Sequence, residues 1–307
     1  MDGILVANKP PGPTSHDVVA LVRRLASTKR VGHGGTLDPF ASGVLPLFLG
    51  RATKVVEYHL ADSKGYRATI CFGASSTTDD LEGDLTPSDG APPTRDALDR
   101  VLTGFRGEIA QRPPAFSAIK VAGRRAYAMA RAGESVELAE RRVTIEALEV
   151  LAWDDADPTR PVATIDVRCS AGTYIRALAR DVGVAVGSAA YLGALARTAS
   201  GPFTMDQAIA LDDIRAAAAE GPERLASLLL PVDAGLDALP EVVANDDDML
   251  AIARGQFVRA PGPFGDGPIR VRDANGTLIA IARYRDGRLA PDKVLIDAPT
   301  PAEPARA

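Results

Sequence analysis

The order of strand and helix patterns along the chain constrains the fold most. Residues 66 to 72 alternate apolar and polar side chains, which predicts a half-buried strand, and residues 143 to 152 and 162 to 169 are two further β-type segments. Residues 173 to 186 show helical periodicity and end before Gly187. Because no regular strand–helix–strand period is present, we predict an α+β domain with a mixed, mainly antiparallel sheet flanked by helices, rather than a doubly wound fold.

The first fifty residues predict a strand, a turn, a helix and a loop. Residues 4 to 7 are apolar and precede a turn rich in Pro and Gly. Thr14 and Asp17 have the spacing of a helix-capping pair, with Asp in place of the usual Glu. Residues 32 to 50 are rich in Gly and Pro, and we predict a loop there.

A second, smaller domain is predicted at the carboxyl end. The region from residue 204 to 248 is acidic and alanine-rich, and we expect it to close a first domain of residues 1 to 235. Two β-type segments then flank an Asn-Gly turn at residues 273 to 276, which is a strong hairpin signal. We therefore predict a small β-rich domain over residues 240 to 298 and a disordered tail at 299 to 307.

Composition limits the classes of function. The formal net charge of −5 argues against a polycationic coat but leaves room for a local basic surface. We find no long apolar segment and no unbroken signal sequence, so we expect a cytoplasmic protein with no membrane partner. Cys71 and Cys169 have no second Cys or His at metal-ligand spacing, so we predict two buried thiols and no metal.

One segment is strongly basic. Residues 104 to 131 carry six Lys or Arg residues against a single acid, Glu108. Such a segment is either an exposed face that only solvates its charges or a surface that contacts phosphates along a nucleic acid. Charge alone does not separate these two interpretations.

The segment from Gly32 to Pro46 carries the clearest chemical signal. It contains four glycines and two prolines but a single carboxylate, that of Asp38. Pro39 disfavours a helical conformation at Asp38, and the glycines allow a ligand to approach the backbone closely. The alternatives are a plain turn and a phosphate-binding P-loop, and the latter is weak because the segment has no Gly-Lys pair.

A second informative segment runs from residue 169 to 180. Arg176 falls in the first turn of the predicted helix, where the helix dipole disfavours a cation. A nearby carboxylate or phosphate would offset that penalty, whereas an arginine that simply extends into water would need no partner.

Together, several separated blocks resemble the TruB family of tRNA pseudouridine synthases. The matching blocks follow one another in family order over residues 4 to 203. They are NKPPGPTS at 8 to 15, VGHGGTLDPFASGVLP at 31 to 46, KGYRATICFG at 64 to 73, GFRGEIAQRPPAFSAIKVAGRRAYAMAR at 104 to 131, CSAGTYIRALARDVG at 169 to 183 and LARTASGPF at 195 to 203.

The resemblance implies an enzyme that flips uridine 55 out of the tRNA T-loop and isomerises it to pseudouridine, without a cofactor or metal. It implies a pseudouridine-synthase-type sheet, a PUA-like β domain at the carboxyl end and a thumb-like RNA-binding segment at about residues 104 to 140. By this resemblance Asp38 is the nucleophile, Arg176 its ion-pair partner, and Tyr66 the residue that stacks on the uracil. On the residues alone, Tyr66 could equally pack in the core.

Further residues take substrate-binding roles by the same resemblance. Lys9 would support the catalytic loop, His33 would fill the space left by extruded bases, and Leu195 would line the uracil pocket. The remaining implied RNA-binding residues are Lys120, Arg124, Tyr174 and Arg197. The sequence departs from the family pattern at Ala196, where an arginine is common.

The chemistry fits these roles. Isomerisation without net hydrolysis needs one ionised carboxylate, which an adjacent guanidinium keeps charged and oriented. A glycosidase would need two carboxylates, and no second acid stands near Asp38 or Arg176 in sequence, although distant acids could approach in the fold. We expect tRNA as the partner and a monomer with no obligate protein partner. The rival interpretations are a non-catalytic tRNA chaperone and a guide-RNA-dependent subunit of the dyskerin type.

Overall fold

The structure is a computed structural model that describes residues 1–117, 119–121, 123–134 and 138–297, with the backbone only at 120, 125, 128 and 131. The tail predicted at residues 299 to 307 lies outside these ranges. No helix within them is both long and apolar enough to cross a membrane.

Strands and helices are mixed along the whole chain. The helices are α1 (Ser15–Leu25), α2 (Glu57–Leu60), α3 (Arg95–Leu102), α4 (Ala126–Arg131), α5 (Ile175–Ala185), α6 (Leu211–Glu220), α7 (Pro222–Ala226) and α8 (Asp246–Ala253), with 3-10 turns at Gly50–Lys54, Thr103–Phe105 and Met205–Gln207. The strands are β1 (Gly3–Lys9), β2 (Val31–His33), β3 (Ser42–Leu49), β4 (Lys64–Phe72), β5 (Ala74–Ser76), β6 (Leu85–Pro87), β7 (Gly107–Gln111), β8 (Lys120–Val121), β9 (Arg124–Arg125), β10 (Arg141–Asp154), β11 (Val162–Cys169), β12 (Ala190–Ser200), β13 (Phe203–Thr204), β14 (Ile209–Ala210), β15 (Glu241–Val243), β16 (Val258–Arg259), β17 (Pro268–Arg272), β18 (Leu278–Arg285) and β19 (Arg288–Val294).

Ten of the described strands form one mixed sheet. Its order is β14-β1-β3-β12-β4-β11-β10-β7, with β2 beside β3 and β13 beside β12. The β1–β14 and β3–β12 pairs are parallel, and the other pairs are antiparallel. Apolar residues of α1 and α5 pack with the sheet in one buried cluster. The predicted α+β fold with a mainly antiparallel sheet is thus confirmed.

The predictions for the strand at residues 66 to 72 and for the start of the first helix are confirmed. Tyr66, Ala68 and Ile70 point to the buried face of β4, as the alternating pattern predicted. Helix α1 begins with the predicted capping pair: the Asp17 amide donates to Thr14 Oγ1 at 3.1 Å, and the Thr14 amide donates to Asp17 Oδ2 at 2.8 Å.

The prediction of a loop over residues 32 to 50 is wrong for its second half. Ser42–Leu49 forms β3, a strand that lies between β1 and β12 and is buried on both faces. A strand covered on both faces lacks apolar–polar alternation, so its apolar residues gave no period-two signal. The loop itself is therefore confined to residues 34 to 41, and the Gly34 amide closes it by donating to the Pro46 carbonyl at 2.9 Å.

Gly43 lets two strands approach closely next to this loop. In the parallel β3–β12 pair, Gly43 lies opposite Arg197 with a φ of +104°. A Cβ atom at this position would lie 2.2 Å from the Arg197 carbonyl oxygen, so only glycine fits. The contact brings the start of β3 and the Arg197 side chain to the same place.

The carboxyl end forms a separate five-stranded sheet of order β15-β17-β18-β19-β16. The predicted hairpin is confirmed as β17–β18, and its turn is held by Asp273, whose Oδ1 accepts from the Asn275 and Thr277 amides at 2.9 and 2.8 Å. This sheet has its own apolar cluster, and Ile281 also packs with Ile4 and Phe48 of the first sheet.

Candidate active site

Asp38 lies in the loop between β2 and β3, and hydrogen bonds to the start of the chain fix this loop. The Leu37 amide donates to Ser15 Oγ at 2.8 Å, and the same hydroxyl donates to the Leu37 carbonyl at 3.1 Å. The Gly12 amide donates to the Pro39 carbonyl at 2.8 Å. The backbone on either side of Asp38 is therefore held in place although its sequence is rich in Gly and Pro.

Lys9 supports the same loop from β1. Its ammonium group is buried and donates to the carbonyls of Pro10, Pro39 and Ala41 at 2.9, 3.1 and 2.6 Å. Burial lowers the pKa of Lys9 to about 8, and the nearby Asp38 carboxylate opposes that shift. All three donors of the ammonium are used by backbone carbonyls, two of which belong to the Asp38 loop.

Arg197 fixes the first half of the loop. Its guanidinium is buried and donates to the carbonyls of Val44, Gly35 and Thr36 at 2.7, 3.1 and 3.4 Å. The Tyr66 hydroxyl lies close enough to interact electrostatically with this guanidinium. Burial raises the pKa of that hydroxyl, so Tyr66 is a neutral phenol beside the loop at neutral pH.

Arg176 and Asp38 form the predicted ion pair. Arg176 Nε lies 3.1 Å from Asp38 Oδ2, and Arg176 Nη2 donates to Asp38 Oδ1 at 3.4 Å. The arginine side chain is 6% exposed and that of Asp38 is 35% exposed, so the carboxylate faces the solvent side of a recess while its partner is buried. The opposite charge offsets the penalty for a cation in the first turn of α5.

A second carboxylate that the sequence did not indicate also binds Arg176. Arg176 Nη1 donates to Asp80 Oδ2 at 3.2 Å, and the Asp80 side chain is 4% exposed. The guanidinium further donates to the carbonyls of Thr78 and Phe116 at 3.2 and 2.9 Å. Arg176 thus binds Asp38 and a buried carboxylate at the same time, and contacts with four residues fix the orientation of its guanidinium.

The turn that carries Asp80 docks on α5 and β12. The Leu192 amide of β12 donates to the Asp79 carbonyl at 3.0 Å, and Arg180 Nη1 donates to Asp79 Oδ2 at 2.8 Å. Because Arg176 and Arg180 are four residues apart, they lie on one face of α5 and meet the adjacent acids Asp79 and Asp80. Asp38 and Asp80 are far apart in sequence, so their spacing carries no signal of this meeting.

The pKa of the Asp38 carboxyl lies above its ordinary value. Burial raises the pKa of the carboxyl, the Arg176 guanidinium lowers it, and the Asp80 carboxylate raises it again, with burial the largest effect. A carboxylate with a raised pKa is a better nucleophile than an ordinary one, provided that the working pH stays above that pKa.

Asp38→Asn is expected to raise the free energy of unfolding at pH 7. The raised pKa means that the folded chain binds the Asp38 proton more tightly than the unfolded chain, so ionisation of Asp38 opposes folding. This effect is absent below the ordinary carboxyl pKa of 3.8 and is complete above the raised pKa. Urea unfolding of the variant and of the unaltered protein, at pH 7 and at a pH below 3.8, measures the difference in stability. A variant that is less stable than the unaltered protein at pH 7 would contradict the prediction.

One cavity of 440 Å³ collects most of the predicted residues. Its lining includes Asp38, Tyr66, Tyr174, Arg176, Leu195 and Arg197. The sequence did not indicate Lys64 or Arg141, which also line it. Within the described ranges, no three His, Cys, Asp or Glu side chains come together in a possible metal site.

The lining of this cavity, as far as the structure describes it, does not include Lys9, His33 or Arg124. His33 accepts from the Gly35 amide at 3.3 Å, and its ring is 5.8 Å from that of His16. Arg124 forms a two-pronged ion pair with Glu134 at 2.9 and 2.7 Å. Lys120 is in β8, and its side chain lies outside the described part of the chain. Of the two predicted buried thiols, that of Cys169 is buried and that of Cys71 is partly exposed.

Family models match nearly the whole chain. The TruB family pseudouridylate synthase (N terminal domain) matches residues 23–175, the tRNA pseudouridylate synthase B C-terminal domain matches 176–237, and Pseudouridine synthase II TruB, C-terminal, matches 240–295. The tRNA pseudouridine synthase B of Pseudomonas aeruginosa (strain UCBPP-PA14) is 42% identical over 297 residues, which cover 96% of each chain. The chain belongs to the TruB family.

Other TruB relatives and solved structures are similar over comparable lengths. The tRNA pseudouridine synthase B of Bacillus licheniformis is 39% identical over 96% of this chain and 98% of its own. A chain in the crystal structure of a Cbf5-Nop10-Gar1 complex has a TM-score of 0.73 and 28% identity, over 96% of this chain and 85% of that one. A chain of an H/ACA RNP bound to a substrate RNA containing 2'-deoxyuridine has a TM-score of 0.72 and 26% identity, over 96% and 86%.

Proposed function

We propose that this protein isomerises uridine 55 in the T-loop of tRNA to pseudouridine, with Asp38 as the nucleophile. The observation that carries the proposal is the Asp38 carboxylate, which opens into a cavity of 440 Å³ and is held by Arg176 at 3.1 Å. Curated relatives about 40% identical over nearly the whole chain are named tRNA pseudouridine synthase B, which supports tRNA as the substrate.

The reaction is an internal exchange of one bond for another. The Asp38 carboxylate attacks either the base or the anomeric carbon of the ribose, and the bond between N1 and that carbon breaks. The base turns within the cavity and its carbon 5 bonds to the anomeric carbon, while the bond that Asp38 had formed breaks and returns the free carboxylate. The carbon 5 proton is lost, and N1 gains a proton. Water must stay away from the intermediate, because hydrolysis would release the base.

The recess requires that the target nucleotide leave its stack. A uridine inside the T-loop cannot reach Asp38, so extruding it costs a few kcal/mol that contacts in the cavity must offset. Tyr66 and Leu195 line the cavity from neighbouring strands, since β4 pairs with β12. An aromatic ring and a leucine suit the two faces of a flat, uncharged uracil. Lys9 supports the catalytic loop, and His33 fills the space that the extruded bases leave.

We further propose that the protein acts on tRNA alone, as a monomer without an obligate protein partner. The proteins in the complexes named above are only 26 to 28% identical, whereas the tRNA pseudouridine synthase B relatives are about 40% identical. The purified chain is therefore expected to act on a bare, unmodified tRNA transcript. Chemical mapping of pseudouridine should give one modified site, uridine 55, and none in a transcript that carries cytidine there. A requirement for guide RNA, or modification elsewhere only, would contradict the proposal.

Binding is expected to weaken steeply with salt. If about six phosphates are contacted, the affinity for tRNA should fall by about 10³-fold between 50 and 200 mM salt. In the thumb-like segment, Arg112 and Arg124 form exposed ion pairs with Glu140 and Glu134, which are weak enough to exchange for phosphate. Fluorescence anisotropy with labelled tRNA measures the slope, and a flat response would contradict an RNA-binding role for these residues.

A further inference from the structure

Four cationic side chains line the Asp38 cavity, and three of them have partners within the protein. Arg176 Nε makes no hydrogen bond within the described residues but lies 3.1 Å from Asp38 Oδ2. Lys64 donates to the His59 carbonyl at 3.2 Å, and Arg176 and Arg197 bind the groups described above. Arg141 differs. Its Nε and Nη2 atoms are buried and have no hydrogen-bond acceptor in the described part of the chain.

The position of the Arg141 guanidinium is nevertheless defined. Arg141 begins β10, opposite Gln111 of β7, and its guanidinium carbon lies 4.5 Å from the centre of the Tyr174 ring. Gln111 is buried and holds the Tyr174 backbone from both sides: its amide nitrogen donates to the Tyr174 carbonyl at 3.1 Å, and its oxygen accepts from the Tyr174 amide at 2.8 Å. The ring that supports Arg141 is thus itself fixed.

Arg141 is half-buried at the cavity wall, and its unpartnered Nε and Nη2 favour an anionic acceptor that enters the cavity. Arginine stays charged at any working pH, and a buried charged donor without a partner is costly. Stacking on a ring occupies the face of the guanidinium and leaves the donors on its edge unpaired, so an anion with two oxygens that enters the cavity could satisfy them. The two carboxylates nearest the reaction, those of Asp38 and Asp80, are already paired with Arg176.

The substrate supplies one kind of anion. Uracil and ribose are neutral, so the charged groups that arrive with an extruded nucleotide are its phosphates. We propose that Arg141 binds a phosphodiester next to the target uridine, with Tyr174 and Gln111 as positioning residues for the guanidinium. This inference rests on the proposed function. In this arrangement Arg141 binds the sugar–phosphate backbone while Asp38 reacts with the nucleoside.

The test combines a side-chain change with neutralisation of single phosphates. Arg141→Met keeps the length of the side chain but removes its charge, and Arg142→Met on the same strand is the matched control, because Arg142 is exposed and pairs with Glu108. A T-arm stem-loop RNA carries a methylphosphonate at one or the other phosphate that flanks the target uridine. Binding is measured by anisotropy over a range of salt, and folding by urea unfolding.

Arg141→Met is expected to weaken binding of the unaltered stem-loop by about 10- to 100-fold. It should also reduce the slope of log affinity against log salt concentration by about one. Arg142→Met is expected to do neither. The methylphosphonate at one position should weaken binding to the unaltered protein by a similar factor and add almost nothing in Arg141→Met. Arg141→Lys should restore only part of the affinity, since an ammonium lacks the planar fork.

The inference would be overturned if Arg141→Met and the methylphosphonate weakened binding by independent factors that multiply, whichever of the two phosphates is altered. Normal binding by Arg141→Met would also overturn it. If that variant does not fold, the unaltered protein still decides the matter: no loss of affinity with either methylphosphonate excludes the phosphate contact. Pseudouridine formation by the unaltered protein on the all-phosphate stem-loop is measured in parallel. Its absence contradicts the proposed function, whereas its presence with multiplying effects contradicts only the role of Arg141.

Discussion

Asp38→Asn is expected to reduce the single-turnover rate of uridine isomerisation by about 10⁴-fold or more, because an amide cannot act as the nucleophile. RNA affinity should change little, since Asn has the same shape and the residues that would contact phosphates are untouched. Mass spectrometry or chemical mapping of pseudouridine gives the rate, and anisotropy gives the affinity.

Asp166→Asn is a suitable control, because it removes a carboxylate that is 44% exposed on β11. It should isomerise uridine at the rate of the unaltered protein. If Asp38→Asn also kept that rate, the catalytic role of Asp38 would be wrong. A tRNA-annealing activity that survives in an inactive Asp38→Asn would instead identify a separate chaperone function of the same surface.

Arg176→Met is expected to have the second largest effect, and it should lower both stability and activity. Removing the guanidinium leaves the Asp80 carboxylate buried without its partner, which costs about 3–5 kcal/mol in the free energy of unfolding. It also frees Asp38 from its only described ion pair with an arginine and raises the pKa of that carboxyl further. The isomerisation rate should fall by about 10²-fold or more.

The double variant Arg176→Met with Asp80→Asn separates the two effects. Neutralising Asp80 should recover much of the lost stability, because no unpaired charge is then buried, but Asp38 stays unsupported and the rate stays low. Arg180→Lys provides a control one turn later on α5, where the partners are Asp79 and Asp181. Urea unfolding and single-turnover kinetics measure both quantities. Full activity in Arg176→Met would rule out a positioning role for this arginine.

Local sequence patterns were sufficient to predict the position of a residue when that position depends only on the helix or strand that contains it. The place of Arg176 in the first turn of α5 followed from helical periodicity and from Gly187, and the burial of Tyr66 followed from alternation along β4. The penalty for a cation at a helix amino terminus indicated either a carboxylate or phosphate partner or an arginine that extends into water, and the structure shows two carboxylate partners. The family resemblance then selected Asp38 from among many acids.

Contacts between distant segments were not predictable in this way. Asp80 is brought to Arg176 by a turn that docks on β12, and nothing in its own neighbourhood distinguishes it from the adjacent Asp79. Arg141 looked like an ordinary charged residue at the start of a strand, since its contact with the Tyr174 ring joins segments that are distant in sequence. The strand β3 was missed because period-two alternation disappears when both faces are covered.

The anchoring of the Asp38 loop has a consequence for the energetics of RNA recognition. The carbonyls on both sides of Asp38 accept from Lys9 and Arg197, and the Leu37 amide is bound to Ser15, so the loop is already ordered in the free protein. The entropy lost in ordering these glycines is therefore lost once, during folding, and does not recur at each encounter with tRNA. The cost of each encounter then lies in rearranging the RNA.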